Sequence, residues 1–431
     1  MEINRNRRLL IVVGIVMFLA VIVMIWYFFY AKPVVAPSII GTNNPLPSNQ
    51  KPPRFQFLTT WGNNTISTST TEVTDPLQDP LIQVWKRPAV GQTFVVQDVL
   101  KGVLATTTIG TSTVQVKKMI RATSTVLLFI DTITGYAYGY AVDSGKIFQI
   151  SNTVLPGVHD AYFFNNGTSV LLRYINQEKN TIVGLIAKMP ILQEEGIALP
   201  LENMQYLTSQ VTSIAVNTKK DKASYIVGSQ NGSTVYTITG RGPALIASSP
   251  FKEWDLSYGG DSLYVTTKPS AYVEGTMFSV PSFSPTISNK TGLMTNPGPS
   301  GISINSMWGG KGLVTFLSDD GDLRAISIAT LASKCAWGDK SFLVCGVPKT
   351  QVLSVEGLPD DWFQGRMIFD DSIFIVDNTT GVSSLLYSFA DDLGPFDTTG
   401  ITLTKENDIL SFTRKQNGSL WLLNRNLLKG E

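Results

Sequence analysis

The stretch VHDAYFFNNGTSVLLRYI, residues 158–175, contains two short apolar runs on either side of an Asn-Asn-Gly turn. Runs of β-branched and aromatic residues bounded by Asn and Gly are typical of strands joined by a tight turn. Neither run shows helical periodicity, in which apolar residues recur three and four positions apart. The stretch therefore predicts an antiparallel β-hairpin.

The same strand-turn-strand unit recurs along the chain. Further copies occupy residues 126–151, 211–239, 251–267, 304–328, 334–347 and 400–424. The units begin about 50 residues apart on average, which is the spacing of four-stranded propeller blades. Together with the unit at 158 they predict an all-β fold, a seven-bladed β-propeller over residues 81–431. A pair of β-sandwich domains is the alternative.

The last unit shows three strands before the chain ends, one fewer than a complete blade. The segment LIQVWKR, Leu81–Arg87, stands alone ahead of the first unit and has the composition of a strand. Pairing this segment with the final blade would close the ring and leave no exposed strand edges. We therefore expect Leu81–Arg87 to lie beside the strand that contains SLWLLN.

The N-terminal region contains a long apolar run. Leu9–Tyr30 is 22 residues without a charge, enough for a helix to span a hydrocarbon core of about 30 Å. The run predicts a single-pass transmembrane helix at residues 9–30 that acts as a signal anchor. A cleaved signal peptide is the alternative, although its apolar region would be shorter, at about 7–15 residues.

The flanks of this apolar run predict its orientation. Arg5, Arg7 and Arg8 precede it, and such an excess of positive charge marks the cytoplasmic side. Residues 1–8 are then a cytoplasmic tail, and everything beyond the helix is extracytoplasmic. Residues 31–80 are rich in Pro, Ser and Thr, which predicts a semi-rigid stalk.

The charge balance excludes one class of partner. The chain has 34 Lys and Arg against 33 Asp and Glu, a formal net charge of +1. No global basic field exists to attract nucleic acid, so we expect no nucleic-acid partner. The predicted partners are the lipid bilayer, through residues 9–30, and an envelope protein or polymer.

The repeated units resemble WD-repeat and related β-propellers, without the signature dipeptides of that family. More specifically, the body resembles an uncharacterised family of membrane-anchored β-propeller proteins from candidate-phyla bacteria. The matching stretches are KRPAVG (86–91), TGYAYGYAVDSGKIFQISNTVLPGVHDAYF (134–163), KCAWGDKSFLVCGVPK (334–349) and LPDDWFQG (358–365). The resemblance implies a fold and a location in the cell envelope. It implies no reaction.

His159 is the single histidine of the chain, and Asp160 and Ser169 are its candidate partners in a catalytic triad. Sequence shows only the residue types of a triad, and glycines typical of a nucleophile elbow are missing around Ser169. An ordinary strand histidine is the favoured interpretation. We predict no catalytic residue and no cofactor, and with one His and two Cys no metal site.

Short acidic segments are also candidates for a functional site. The segments SDDGD (318–322), PDD (359–361) and ADDLG (390–394) lack the alternating oxygen ligands of a calcium loop. DTITG (131–135) and DNTTG (377–381) combine Asp with a following Gly in the same way. Since Asp and Gly favour tight turns, we predict turns at all of these positions.

Cys335 and Cys345 are the only cysteines and are ten residues apart. A turn centred on Lys340 would place them opposite each other in an antiparallel pair, where facing β-carbons come nearly close enough for a disulfide. An extracytoplasmic location would permit that bond. Two buried thiols are the alternative.

The segment LPDDWFQG is predicted to form a loop at one end of the propeller. Tryptophan is enriched among binding hot spots, and long loops on rigid scaffolds often carry binding surfaces. The candidate partner-binding residues are Asp360, Asp361, Trp362, Phe363 and Gln364. The alternative is that Trp362 folds back to cap its own blade.

These features together predict a membrane-anchored, extracytoplasmic β-propeller that acts as a binding or scaffold module in the cell envelope. We do not expect it to be an enzyme. One alternative is an envelope hydrolase or lyase that uses the central propeller face. Another is a structural component of a secretion or pilus assembly.

Overall fold

The computed structural model describes residues 79–109, 112–176, 181–207, 211–239, 242–299, 301–309, 312–319, 321–338, 341–350 and 357–430. These residues form seven antiparallel sheets of four strands each. Neighbouring sheets pack side by side as blades of a ring, in chain order, and the last blade contacts the first. The predicted seven-bladed β-propeller is confirmed, and the two-sandwich alternative is wrong.

The strands of the first three blades follow one another without interruption. They are β2 (Ala89–Ile109), β3 (Ser112–Asp131), β4 (Ala137–Ala141) and β5 (Lys146–Gln149) in blade 1; β6 (Val158–Phe164), β7 (Ser169–Asn176), β8 (Thr181–Lys188) and β9 (Glu202–Tyr206) in blade 2; and β10 (Val211–Val216), β11 (Ala223–Ser229), β12 (Gly232–Thr239) and β13 (Gly242–Ser249) in blade 3.

The next three blades repeat the same order. They contain β14 (Trp254–Gly259), β15 (Ser262–Thr267), β16 (Glu274–Val280) and β17 (Pro285–Thr291) in blade 4; β18 (Met294–Pro297), β19 (Ser303–Trp308), β20 (Leu313–Asp319) and β21 (Asp322–Ala325) in blade 5; and β22 (Cys335–Trp337), β23 (Phe342–Pro348), β24 (Asp371–Asp377) and β25 (Ser383–Ser388) in blade 6. The described helices are short: α1 (Asp360–Phe363) and 3-10 turns at Ala332–Lys334, Asp391–Leu393 and Arg425–Gly430.

Blade 7 is assembled from both ends of the described chain. Its strands β26 (Thr398–Leu403), β27 (Ile409–Arg414) and β28 (Leu420–Asn424) are joined by β1 (Leu81–Trp85). Strand β1 pairs with β28, and the aligned pairs are Leu81 with Leu423, Ile82 with Leu422, Gln83 with Trp421 and Trp85 with Leu420. The predicted ring closure is confirmed, with a strand that ends at Trp85 rather than Arg87.

The apolar runs of the strands fill the interfaces between blades. In β3, Leu128 and Ile130 pack against blade 2, whereas Leu127 and Phe129 pack against blade 7, and all four are fully buried. Successive side chains of a strand point to opposite faces of the sheet. Because both faces of the blade are covered by neighbours here, the strand is apolar at every position of the run 126–130 rather than at alternate positions.

The first blade differs from the sequence prediction. The predicted unit at 126–151 lacks the innermost strand β2, which is 21 residues long and pairs with β3 as an extended hairpin. Strand β2 was not predicted because it contains polar residues. An innermost strand can carry them, since one of its edges lies on the central channel. In blade 5 the predicted start near 304 is the second strand, and the innermost strand is the four-residue β18.

Two turns show why Asp and Gly recur in this sequence. Asp131 Oδ1 accepts hydrogen bonds from the backbone N–H groups of Ile133 and Thr134 at 3.2 and 2.9 Å. Asp377 Oδ1 accepts the N–H groups of the residues two and three positions later in the same way, both at 2.8 Å. The turns predicted at 131–135 and 377–381 are confirmed.

The predicted cytoplasmic tail (1–8), membrane helix (9–30) and nearly all of the stalk (31–80) lie outside the described residues. Within the described ranges, no helix has the length and apolar character needed to cross a bilayer. The first described strand begins at Leu81.

Candidate functional site

A channel runs through the centre of the ring and encloses a cavity of about 1060 Å³. The innermost strand of each blade contributes to its wall. One wall residue from each blade, in order, is Thr93, Ala161, Val216, Tyr258, Asn296, Trp337 and Thr402. We call the end where the innermost strands begin the entry face, and the end where they finish the exit face. This channel is the candidate functional site.

The wall of the channel is held in place by its own hydrogen bonds. Asn296 Nδ2 donates to the carbonyl oxygen of Cys335 at 2.7 Å, and Trp337 Nε1 donates to the carbonyl oxygen of Asn296 at 3.1 Å. Gln92 Nε2 donates to the carbonyl oxygen of Gly400 at 2.6 Å and links blade 1 to blade 7. Blade 5 is therefore bonded to blade 6, and blade 7 to blade 1, along the channel itself.

His159 lies on the channel wall at the beginning of β6. Its Nδ1 atom is 3.2 Å from Asp160 Oδ2, and Asp160 is also bonded by the Arg173 guanidinium through Nε at 2.6 Å and through Nη2. Burial alone would raise the pKa of Asp160, but the hydrogen bond from His159 and the charge of Arg173 outweigh it and lower that pKa. Arg173 also donates to the carbonyl oxygen of Thr212 at 2.5 Å, which ties blade 2 to blade 3.

The catalytic triad considered for His159 is not assembled. Strand pairing places Ser169 opposite Phe164, at the far end of the hairpin from His159. Five residues along a strand correspond to about 17 Å. The Ser169 hydroxyl instead accepts a hydrogen bond from Asn165 at 3.2 Å.

Lys220 reaches the channel from the exit face and is not among the candidate residues predicted from the sequence. It lies in the turn between β10 and β11 with a left-handed φ of 57°. Lys220 lines the cavity, and its Nζ atom donates to the carbonyl oxygen of Phe94 in blade 1 at 2.5 Å. Burial lowers the pKa of this amine to about 8. The visible signal was the Lys-Lys-Asp-Lys cluster at 219–222, which has the composition of a solvated turn.

The loop predicted to bind a partner lies along the entry face. We call residues 357–369 the strap. Trp362 in α1 is only 5% exposed, and its Nε1 donates to Asp397 Oδ2 at 2.8 Å. Its ring packs with apolar residues of blade 5 and of the segment that follows it, among them Met294, Leu313 and Leu331. The Trp362 ring therefore folds back against blade 5 rather than capping its own blade, and this burial disfavours partner contact through Trp362, which stays a prediction.

The strap carboxylates form contacts within the fold. Asp360 Oδ2 accepts the backbone N–H of Ala271 at 2.6 Å and so joins the strap to blade 4. Asp361 Oδ1 pairs with Arg366 Nη2 at 2.6 Å. Of the five candidate partner-binding residues, Phe363 is 51% exposed and Gln364 is also exposed, so partner binding by this pair stays a prediction.

A buried charge network anchors the strap. Lys334 is fully buried, pairs with Asp371 Oδ2 at 2.7 Å and also bonds Asp397 Oδ1. Burial raises the pKa of Asp371, although Lys334 counteracts it. The Nζ atom of Lys415 lies 3.9 Å from the centre of the Trp362 ring and donates a hydrogen bond to the backbone carbonyl oxygen of Trp362. The strap is thus bound to Asp397, which directly precedes blade 7, and to Lys415 in the turn between β27 and β28.

Cys335 and Cys345 are aligned opposite each other in the pairing of β22 with β23. Their Cα atoms are 4.1 Å apart, and the structure joins them by a disulfide. The predicted register is confirmed. Among the described residues, no three His, Cys, Asp or Glu side chains converge as metal ligands.

Comparison with known proteins finds similarity only at the level of structure. No family model matches the chain, and no curated protein is significantly similar to it. Similar solved structures include the β-propeller domain of the trilobed protease from Pyrococcus furiosus, with 11% identity and a TM-score of 0.39 over 60% of this chain and 77% of that one. Another is the Swd1 β-propeller domain of Myceliophteria thermophila, with 9% identity and a TM-score of 0.41 over 69% and 93%.

A third similar structure is the oligogalacturonate lyase from Vibrio parahaemolyticus, with 9% identity and a TM-score of 0.44 over 79% of this chain and 98% of that one. All three similarities are weak. The description of this chain as a seven-bladed β-propeller rests on its own seven sheets and on the pairing of β1 with β28.

Proposed function

We propose that this protein is a non-enzymatic binding and scaffold module, displayed on the outer side of the cytoplasmic membrane, that holds an envelope protein or polymer at its central channel. The observation that carries the proposal is the channel cavity of about 1060 Å³, with walls from all seven blades. Ligand sites in proteins are typically concave and of about 300–1,000 Å³.

The rigidity of the wall favours binding. The hydrogen bonds of Gln92, Asn296 and Trp337 hold the innermost strands of blades 1, 5, 6 and 7 in a fixed arrangement. A preformed surface loses little conformational freedom when a ligand binds, so more of the contact energy becomes affinity.

The ion pair of Asp160 with Arg173 beside His159 supports the proposal that the protein is not an enzyme. Asp160 accepts hydrogen bonds from Arg173, and the lowered pKa of Asp160 makes it a weak proton acceptor near neutral pH. The remaining donors of Arg173 bond backbone carbonyls of blade 3. These groups hold blades 2 and 3 together.

The proposed location rests on the sequence. The uncharged segment Leu9–Tyr30 and the arginines ahead of it are typical of a helix with a cytoplasmic N-terminus. A propeller exported by that anchor would be displayed to partners in the envelope.

The proposal can be tested by capturing partners on the tagged full-length protein with a variant that fills the channel. Thr218 is exposed in the turn after β10 and lines the cavity, so Thr218→Tyr adds a ring to the channel mouth. We expect capture to weaken by at least about tenfold, a loss of about 1.4 kcal/mol. Quantitative mass spectrometry of the captured material measures it.

The matched control is Ser384→Tyr, which adds the same ring to an exposed position on β25, away from the cavity. Capture by this variant should equal that of the unmodified protein. A partner that Thr218→Tyr retains and Ser384→Tyr loses would place the binding surface on the outside of the ring and overturn the channel proposal.

A further inference from the structure

The turn that carries Lys220 separates three lysines into two environments. Asn217 Oδ1 accepts the N–H groups of Asp221 and Lys222 at 3.0 and 2.9 Å and fixes the turn. Lys219 and Lys222 are 69% and 49% exposed and pair with Asp261 Oδ2 at 2.7 Å and Oδ1 at 3.6 Å, respectively. The left-handed backbone of Lys220 sends its side chain the other way, into the channel.

The partner of the Lys220 amine is neutral. Nζ donates to the carbonyl oxygen of Phe94, and within the described residues no carboxylate forms an ion pair with it. An ammonium that is taken out of water without an opposite charge favours its neutral form. The lowered pKa of about 8 is consistent with this geometry.

A neutral lysine amine is a nucleophile. With a pKa of about 8, roughly a tenth of the Lys220 amines are neutral at pH 7. For a lysine of ordinary pKa that share is only about 0.03%. Desolvated lysines of this kind are the ones that form Schiff bases with carbonyl compounds.

We propose that Lys220 is a covalent capture site for small carbonyl compounds, aldehydes or ketones such as open-chain sugars, inside the channel. The neutral Nζ attacks the carbonyl carbon to give a carbinolamine. Loss of water, which carries away the carbonyl oxygen and both amine hydrogens, leaves an imine. The step needs no oxidant or reductant, and it goes beyond the proposed partner binding, which does not require it.

The adjacent cavity has room for such a compound. It encloses about 1060 Å³, and the polar residues of its wall include Asn166, Thr218 and Tyr258. Wall groups of this kind can accept or donate hydrogen bonds to the hydroxyls of a captured sugar.

The test is reductive trapping on the full-length protein with glycolaldehyde and cyanoborohydride, both limiting, followed by tandem mass spectrometry of fragments that contain residues 219–222. At pH 7 we expect Lys220 to carry at least about ten times more label than Lys219 or Lys222, because more of its amine is neutral. The labelling rate of Lys220 should rise with pH and reach half its maximum near pH 8.

Two variants serve as controls. Lys220→Arg keeps a donor for the Phe94 carbonyl, and Lys220→Gln removes the charge; each should abolish this label and leave Lys219 and Lys222 unchanged. Equal labelling of the three lysines of the unmodified protein, no labelling at Lys220, or a midpoint above pH 10 would overturn the proposal. Those outcomes are independent of whether Thr218→Tyr loses a captured partner.

Discussion

Trp362 and Phe363 are neighbours in the chain with opposite environments. The Trp362 ring is buried among apolar residues, its Nε1 donates to Asp397, and the Lys415 ammonium lies over its face. Phe363 is half exposed. The difference follows from the single turn of α1, which can turn only one of two adjacent side chains toward the propeller.

At this scale we expect Trp362→Ala to destabilise the protein by about 3–5 kcal/mol, because it leaves a cavity and removes a donor from the buried Asp397 carboxylate. The measurement is the free energy of unfolding from urea titration. Phe363→Ala is the matched control and should change it by less than about 1 kcal/mol. Equal losses for the two variants would contradict the anchoring role of Trp362.

The buried network connects blade 6 with blade 7. Lys334 precedes β22, Asp371 begins β24, and Asp397 precedes β26. Breaking a buried ion pair by removing one partner costs about 3–5 kcal/mol, because an uncompensated charge is left inside. Taking the charges out of water costs about as much as their pairing returns. The network therefore fixes the relative position of blades 6 and 7 more than it adds to the free energy of unfolding.

Among the elements, the five-residue strand β1 completes the last blade. It covers the outer edge of β28 and buries Val84, which is 6% exposed, between blades 7 and 1. Trp85 at its end packs on Phe129 and Tyr138 and donates to Asp131 at 3.0 Å. Strand β1 thus joins the first blade to the last.

We expect deletion of residues 81–85 to lower the free energy of unfolding by at least about 3 kcal/mol, since it exposes two or more apolar side chains. Without β1 the edge of β28 is also open to pairing with other chains. A deletion of equal length at 61–65, in the predicted stalk, is the control. Chemical denaturation and size-exclusion chromatography measure stability and association, and equal effects of both deletions would show that closure adds nothing.

For the molecule as a whole, the state of the disulfide depends on the redox conditions of the compartment that holds the propeller. Cys335 and Cys345 are 5% and 0% exposed and join the two inner strands of blade 6. The cytoplasm keeps thiols reduced, whereas extracytoplasmic compartments allow disulfides to persist.

If the propeller lies outside the cytoplasmic membrane, protein from cells quenched with acid should show no free thiols after unfolding without reductant. Alkylation followed by mass spectrometry measures this, and the same protein treated with reductant should show two. Two labelled thiols in the unreduced sample would contradict the extracytoplasmic location of the folded body.

The sequence alone determined the features that depend on neighbouring residues. Short apolar runs ended by Asn, Asp and Gly gave the strands and turns, and counting them gave seven blades and the missing strand at Leu81. The pairing of Cys335 with Cys345 followed from their separation of ten residues, because two residues at equal distances from the centre of a turn face each other in the hairpin. These features could be predicted because strand formation and turn geometry are set within a few residues.

Only the tertiary structure decided which distant side chains meet. Lys334 bonds Asp397 across 63 residues, and Lys220 bonds the Phe94 carbonyl across 126. Sequence spacing does not encode such contacts, because they depend on how blades pack around the ring. The same packing buried Trp362, made the partly polar β2 an innermost strand and lowered the pKa of one lysine among three in a single turn.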